Sequence, residues 1–282
     1  MIRAAKKSGH FLGVDFHKRE DPRIKEAQAR FQSGRYGEFQ AAVFYMLDKL
    51  GVADPNHSPR FFASPDFAEK NTPVSFLTVH MADALMQIVA RVPVEVRALG
   101  YAHKLPSLKP IPVRGYDLVD TEILFDNGAV AHILTGWALP NSAWSTTVQS
   151  GRLICSEGLI DLGLDTPGLC EIHPDGVIQV NPLFRNFEKD GSVTGYGIGN
   201  PGRLYEQILA WRNDELSCQD RELCLSPKRL GFYTTLVLEG AEKSLAEGNR
   251  GDTGATLGTT VDLKTLTARQ LGNKAAGEYG LD

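Results

Sequence analysis

Hydrophobic positions recur with different periods along the chain. Between Pro22 and Gly34, Ile24, Ala27 and Phe31 fall at i, i+3 and i+7, one buried stripe of a helix. Asp21-Pro22 opens it with a side-chain acceptor and then a proline whose missing N–H costs nothing; Gly34 stops it. A short helix over Ile2–Ser8 with Gly9 as its stop, followed by a compact apolar strand over Phe11–Phe16, leads into this segment. Glu38 to Leu47 reads as an aromatic, β-prone strand. Gly51 to Pro73, rich in Pro, Asn, Asp and Ser, reads as a long surface loop. Val79 to Val92 is apolar at Val79, Ala82, Leu85, Met86 and Val89, with Ala84 and Ile88 widening the face, which predicts a well-buried helix.

After Pro93 the period shortens to that of strands. Candidates are Val94–Tyr101, Thr121–Phe125, Val130–Leu139, Thr146–Cys155, Leu159–Leu164, Leu169–His173 and Val177–Val180. Asp126-Asn127-Gly128, Ser156-Glu157-Gly158 and Pro174-Asp175-Gly176 are turn signals, and connections this short make neighbours antiparallel. Helices over Pro201–Asn213 and Pro227–Ala246 follow, then a weakly patterned Gly- and Thr-rich tail. The expected fold class is α+β: a large, mostly antiparallel open sheet with helices packed on one face. Residues 1–20 form the last turn of an alternating α/β unit, 21–248 the α+β domain, and 249–282 the tail.

Charge and composition narrow the partners. A net charge of −4 without a dense basic run argues against nucleic acid or an anionic membrane as main partner. No apolar stretch approaches the roughly 20 residues of a membrane span, and no signal peptide is read, so the cytoplasm is expected. Cys155, Cys170, Cys218 and Cys224 form no Cys-x-x-Cys pair; reduced thiols and no metal site are expected.

Gly197-Ile198-Gly199-Asn200-Pro201-Gly202 satisfies the G-x-G-x-x-G string, but polar residues precede it where a dinucleotide fingerprint needs a buried strand. It reads as a loop with Asn200 capping a helix, and Tyr196 is a candidate pocket wall. His80 and Asp83 lie one helical turn apart, on the same side, at the start of an otherwise apolar helix. Imidazole exchanges a proton near neutral pH and a carboxylate can orient it, so the pair is either a proton-transfer site or a hydrogen bond tying the helix entry to the sheet. Asp15, His17, Lys18 and Arg19 end the first strand, where open α/β sheets bind ligands or where charges merely cap the next helix. Tyr45, Asp48 and Lys49 end the next. Trp137 and Trp144 flank a turn and either stack on a sugar ring or pack in a core or rim.

In order, Ala4-Ala5-Lys6-Lys7-Ser8-Gly9, Val14-Asp15-Phe16-His17-Lys18-Arg19, Asp21-Pro22 and Gly34-Arg35-Tyr36-Gly37-Glu38 resemble the domain junction of Gfo/Idh/MocA oxidoreductases. Pro73 to Asp83 resembles the catalytic helix of that family, and Arg152 to Ile160 its later sheet signature. The resemblance implies NAD- or NADP-dependent hydride transfer on a sugar, sugar derivative or cyclitol. It also implies a Rossmann domain, of which residues 1–20 would be the last helix and strand, followed by an open-sheet domain that often mediates oligomerisation. His80 matches the histidine of the family's D-x-x-x-H pair and Asp83 a substrate-contacting acid. Phe76 stands where the motif has aspartate, and the E-K-P lysine and glycine fingerprint would lie upstream of Met1.

The expected function is therefore the C-terminal substrate-binding domain of such an oxidoreductase. His80 would assist proton transfer, Asp83, Lys18 and Tyr45 would fix the sugar, and Trp137 and Tyr196 would line the pocket. The cofactor-binding residues are not in these motifs. The alternative is a non-catalytic binding or assembly subunit that partners a separate Rossmann-containing chain, and a metal-dependent sugar isomerase is a third.

Overall fold

Strand alternation divides the sheet into a packed face and an open one. In β1 (Phe39–Lys49), Ala42, Phe44, Met46 and Asp48 are buried on one side, whereas Ala41, Val43, Tyr45 and Leu47 are half-buried or exposed on the other. β2 (Pro93–Tyr101), β3 (Leu118–Phe125), β4 (Val130–Leu139), β5 (Thr147–Cys155) and β6 (Gly158–Gly163) repeat the pattern. The computed structural model describes residues 1–164, 169–173, 176–180, 186–187, 190–191, 193–194, 197–279 and 281. Two further ladders, β7 (Leu169–His173) with β8 (Gly176–Val180) and β9 (Asn186–Phe187) with β10 (Val193–Thr194), are separate antiparallel pairs.

The large sheet runs β11-β12-β2-β3-β4-β1-β5-β6, where β11 is Asn249–Arg250 and β12 Ala255–Leu257. β13 (Val261–Asp262) pairs with the same edge of β2 as β12, each covering half of it. β1 inserts between β4 and β5, parallel to the first and antiparallel to the second; the other pairings in the sheet are antiparallel. The mostly antiparallel open sheet expected from the sequence is thus present. The stretch beyond Gly248 belongs to it: strands of two or three residues carry too little alternation to be read beforehand.

The α-helices of six residues or more among the described residues are α1 (Ile2–Ser8), α2 (Pro22–Gln32), α3 (Val79–Val89), α4 (Asn200–Arg212), α5 (Cys218–Cys224), α6 (Phe232–Glu247), α7 (Leu263–Leu271) and α8 (Asn273–Glu278). α2, α3, α6 and α7 share the core on the packed face. There Met81, Leu85 and Ile88 of α3 meet Ile24 of α2, Phe44 of β1, Val237 of α6 and Leu263 of α7 in one apolar cluster. Each such side chain contributes about 1.5–3 kcal/mol by leaving water. A five-residue π-helical turn, Val74–Thr78, feeds α3 and places Thr78 Oγ1 2.8 Å from Thr135 Oγ1 of β4.

Three local expectations change. Phe11–Phe16 has no strand partner among the described residues; instead Phe11 meets Trp211 edge-on at 5.8 Å and the Trp211 indole N–H donates to the Gly9 carbonyl. α6 begins at Phe232 rather than Pro227, because Gly231 takes a left-handed conformation, φ 68°, just before it. α5 arises between the expected helices Pro201–Asn213 and Pro227–Ala246, where no element was expected: Ser217 Oγ accepts from the Asp220 backbone N–H, a cap that works without apolar periodicity.

No helix among the described residues is long and apolar enough to cross a membrane. α3 ends on Ala90 at φ 53°, a position where an L side chain is strained and glycine is usual. Ala90→Gly is expected to raise the unfolding free energy by about 0.5–1 kcal/mol in urea titrations; a decrease would show that the Ala90 methyl does more by packing than it loses by strain.

Candidate active site

A 3-10 turn over His17–Glu20 crosses the first turns of α3 and sends three consecutive side chains in three directions. The His17 ring meets the His80 ring edge-on, centroids 4.8 Å apart. Lys18, buried, reaches β5 and donates to Gln149 Oε1 at 2.5 Å. Arg19 grips Asp83 with both arms, Nε to Oδ2 at 2.8 Å and Nη2 to Oδ1 at 2.6 Å, while Thr234 Oγ1 of α6 donates to Oδ1 at 3.1 Å. The Arg19 guanidinium also lies 4.4 Å above the Phe16 ring. The i, i+3 spacing of His80 and Asp83 therefore serves a shared neighbour, the 17–20 turn, and not each other.

Around His80 the packed face of the sheet turns polar. Cross-strand register sets Met46 beside Gln149 and beside Thr135, and Asp48 beside Thr147. Asp48, Thr135 and Gln149 are all buried, and Thr147 Oγ1 donates to Asp48 Oδ1 at 2.5 Å. Burial dominates the electrostatics. It lowers His80 to about 3, helped by the nearby His17 and then Lys18. His17 falls to about 4, from burial and then the Lys18 charge. Burial brings Lys18 down to about 7 against the pull of Asp21. Asp48 is pushed up to about 6 by burial, partly offset by the Thr147 hydrogen bond. Near neutral pH the two imidazoles are therefore uncharged, Lys18 is about half protonated, and Asp48 is mostly ionised.

Among the residues singled out from the sequence, the structure brings His80 and Lys18 together, with His17 between them in the contact chain. Asp83 is committed to Arg19 and Thr234. Tyr45 lies on the opposite, open face of the sheet, because an odd position in β1 cannot share a side with Met46 and Asp48. Trp137 is buried in a satellite core with Val52, Ala53, Ala68, Leu105 and Val113, 6.2 Å from the Phe67 ring, so it offers no stacking surface; Trp144 is exposed. Tyr196 lies outside the described residues. Asp15 accepts from Asn200. Gln149 was missed: it is a buried polar residue on the in-facing side of a strand that also turns Thr147, Gly151, Leu153 and Cys155 inward, and strict alternation could have found it. Among the described residues no three His, Cys, Asp or Glu side chains come together to hold a metal ion.

Solved structures share this arrangement of sheet and helices. An oxidoreductase from Agrobacterium radiobacter, in complex with NAD+, L-tartaric acid and magnesium, superposes with a TM-score of 0.59 at 18% identity, over 94% of this chain and 68% of that one. A scyllo-inositol dehydrogenase from Lactobacillus casei with NAD(H) and scyllo-inositol bound gives 0.57 at 14%, over 92% and 66%. GenD2 from gentamicin A biosynthesis, in complex with NAD, gives 0.63 at 15%, over 93% and 66%. The chain shares the fold of these three structures. It spans about two thirds of their length. No protein-family model matches the sequence, and neither does any curated protein.

The described residues do not fit a dinucleotide. The glycine run 197–202 opens α4, and the strand before it, β10, is a two-residue antiparallel partner of β9. A Cβ on Gly197 would stand 1.8 Å from the His17 carbonyl oxygen, and Asn200, fully buried, donates to Asp15. The helix begins at Asn200, whose amide therefore docks the run onto the 15–17 segment in place of capping α4. It is a packing device, with no parallel βαβ unit to hold a pyrophosphate.

Removing one side of the Arg19–Asp83 pair leaves a charge stranded in the core. Asp83→Ala is expected to cost about 3–5 kcal/mol in chemical denaturation, and the double variant Arg19→Met/Asp83→Leu to recover part of that; additive losses would deny the coupling. His80, held neutral when folded, binds a proton in the unfolded chain near pH 6.5, so the unfolded state takes up more protons as pH falls. Stability should then drop between about pH 6.5 and 3, and His80→Phe should make that drop shallower by up to about 1.4 kcal/mol per pH unit. Equal slopes would mean that His80 titrates normally.

Proposed function

We propose that the chain is the substrate-binding domain of a nicotinamide-dependent oxidoreductase acting on a sugar, sugar derivative or cyclitol, with the dinucleotide held by a Rossmann domain outside the described residues. The observation that carries this reading is the His80–His17–Lys18–Gln149 cluster on the packed face beside the end of β1. A polyol is uncharged and dense in hydroxyls. A site of neutral imidazoles, amide and threonine hydroxyls matches it without stranding charge. The fold shared with a dehydrogenase solved with scyllo-inositol points the same way, and so does the span of about two thirds of its length.

Oxidising a carbinol takes a proton from oxygen and a hydride from the same carbon. The residues of this chain supply the first half. His80, uncharged, has a lone pair for the hydroxyl proton. Lys18, near 7, is a neutral amine in about half of the molecules at neutral pH and in that form can take the proton, and Gln149 Oε1 accepts from the ammonium so formed. Asp83 sets the height of α3 through Arg19 and so positions His80 without touching substrate. NAD and NADP are equally compatible with this half of the chemistry. The working compartment in this reading is the cytoplasm.

A second reading, a binding or assembly subunit for a separate Rossmann-containing chain, draws on the open sheet face. Register aligns Ala41, Ile154 and Leu159 in an apolar row, and beside it Arg97, Glu122, His132, Val43, Arg152 and Asp161 in a charged one. Such a face suits a homo-oligomer in either reading.

Titrating scyllo-inositol and a panel of hexoses into the whole chain, followed by NMR of the histidine rings, tests the first reading. Saturable binding that His80→Ala and Lys18→Met each weaken about tenfold is expected; a panel in which nothing perturbs His80 would end it. NADH should bind the same chain no tighter than about 100 μM, and low-micromolar binding would refute the placement of the dinucleotide site elsewhere.

A further inference from the structure

A cavity of about 350 Å³ opens between Phe11–Val14, α2, α4 and the stretch before α6, and none of His17, Lys18 or His80 lines it. Its wall carries Arg19, Lys25, Arg203, Lys228 and Arg229 against one carboxylate, Glu20. Asp83 occupies Arg19, and Glu20 bridges Lys25 and Arg203. Among the described residues no carboxylate pairs with Lys228 or Arg229. The Arg229 guanidinium finds the side-chain oxygen of Gln207 in its better-satisfied amide orientation, and Arg203 shares that oxygen.

The two uncompensated cations are held in place. Arg19 donates to the backbone carbonyls of Arg229 at 2.6 Å and Lys228 at 3.3 Å, fixing the segment from which both side chains project. Partial burial, and then the nearby Arg19 charge, lower the Lys228 ammonium from its ordinary range. Gln28 and Gln87 add neutral hydrogen-bonding groups, while Leu204 and Leu230 supply apolar wall.

We propose that this cavity binds a small organic phosphate monoester, its phosphate between Lys228, Arg229 and Arg203 and its body against Leu204 and Leu230. A phosphate monoester carries about −1.5 to −2 charges near neutral pH, which balances the two unpaired cations. Guanidinium forks match its oxygens in pairs. A monocarboxylate would leave one cation unmatched. The site is independent of the polyol reading, since no residue of the His80 cluster takes part.

Calorimetry on the whole chain tests it, with phenyl phosphate, inorganic phosphate and succinate as probes. Phenyl phosphate is expected to bind saturably and about tenfold tighter than inorganic phosphate, with Lys228→Met and Arg229→Gln each weakening it about tenfold and Arg152→Gln, on the open face of the sheet, leaving it unchanged. Arg229→Gln, which replaces a contact to an amide, keeps the test open should Lys228→Met fail to fold. Absence of saturable binding, succinate binding as tightly as phenyl phosphate, or Arg152→Gln weakening binding as much as Lys228→Met would each overturn the proposal. His80→Ala should leave phenyl phosphate binding intact, so this site and the polyol site fail separately.

Discussion

A guanidinium withdrawn from water needs a carboxylate to replace the solvent it loses, and Arg19 finds Asp83 at the centre of the packed face. The pair joins parts of the chain far apart in sequence. Arg19 belongs to the 17–20 turn, Asp83 to α3, Thr234 to α6, and the carbonyls of Lys228 and Arg229 to the segment between α5 and α6. The cation also rests on Phe16, whose ring fills the space that a side chain at Gly231 would need. His80 stands on the sheet side of this knot and the basic cavity on the other. The orientation of α3, and with it the placement of both candidate sites, depends on one buried ion pair.

Burial then decides the chemistry near His80. An imidazole, a second imidazole and an ammonium crowded together would repel one another if all were charged, and desolvation removes most of that charge. Asp48, on the same face two positions from Met46, is moved in the opposite sense by the same cause. What results is a cluster of polar side chains with uncharged imidazoles bordering an apolar core. The cavity on the far side of Arg19 has the contrary character, excess positive charge without matching carboxylates.

Much of the fold was legible in the chain. β4 matches its expected bounds, and α1, α2, β2, β5 and β6 lie within two residues of theirs, because a repeat of apolar positions or a cap residue marks each. The polar stretch at 218–224 and the tail strands were not, since a serine cap and two-residue ladders leave no periodic trace. For the candidate site, His80 and Lys18 were found from residue type and position, while Tyr45 and Trp137 were chosen by type alone, and the structure sends them to the open face and to a satellite core.

By itself the sequence determined the class of fold, the packed and open faces of each strand, and the placing of an imidazole at the entry of a buried helix. These follow from local rules: alternation, helical spacing and caps act over a few residues. Only the tertiary structure decided that Asp83 answers Arg19 and not His80, that Gln149 comes to Lys18 across 131 positions, and that Lys228 and Arg229 face a cavity whose one carboxylate, Glu20, is taken by Lys25 and Arg203. Partner choice between distant charges depends on which strands and helices become neighbours, and that is settled by cooperative packing of the whole core rather than by any short stretch of chain.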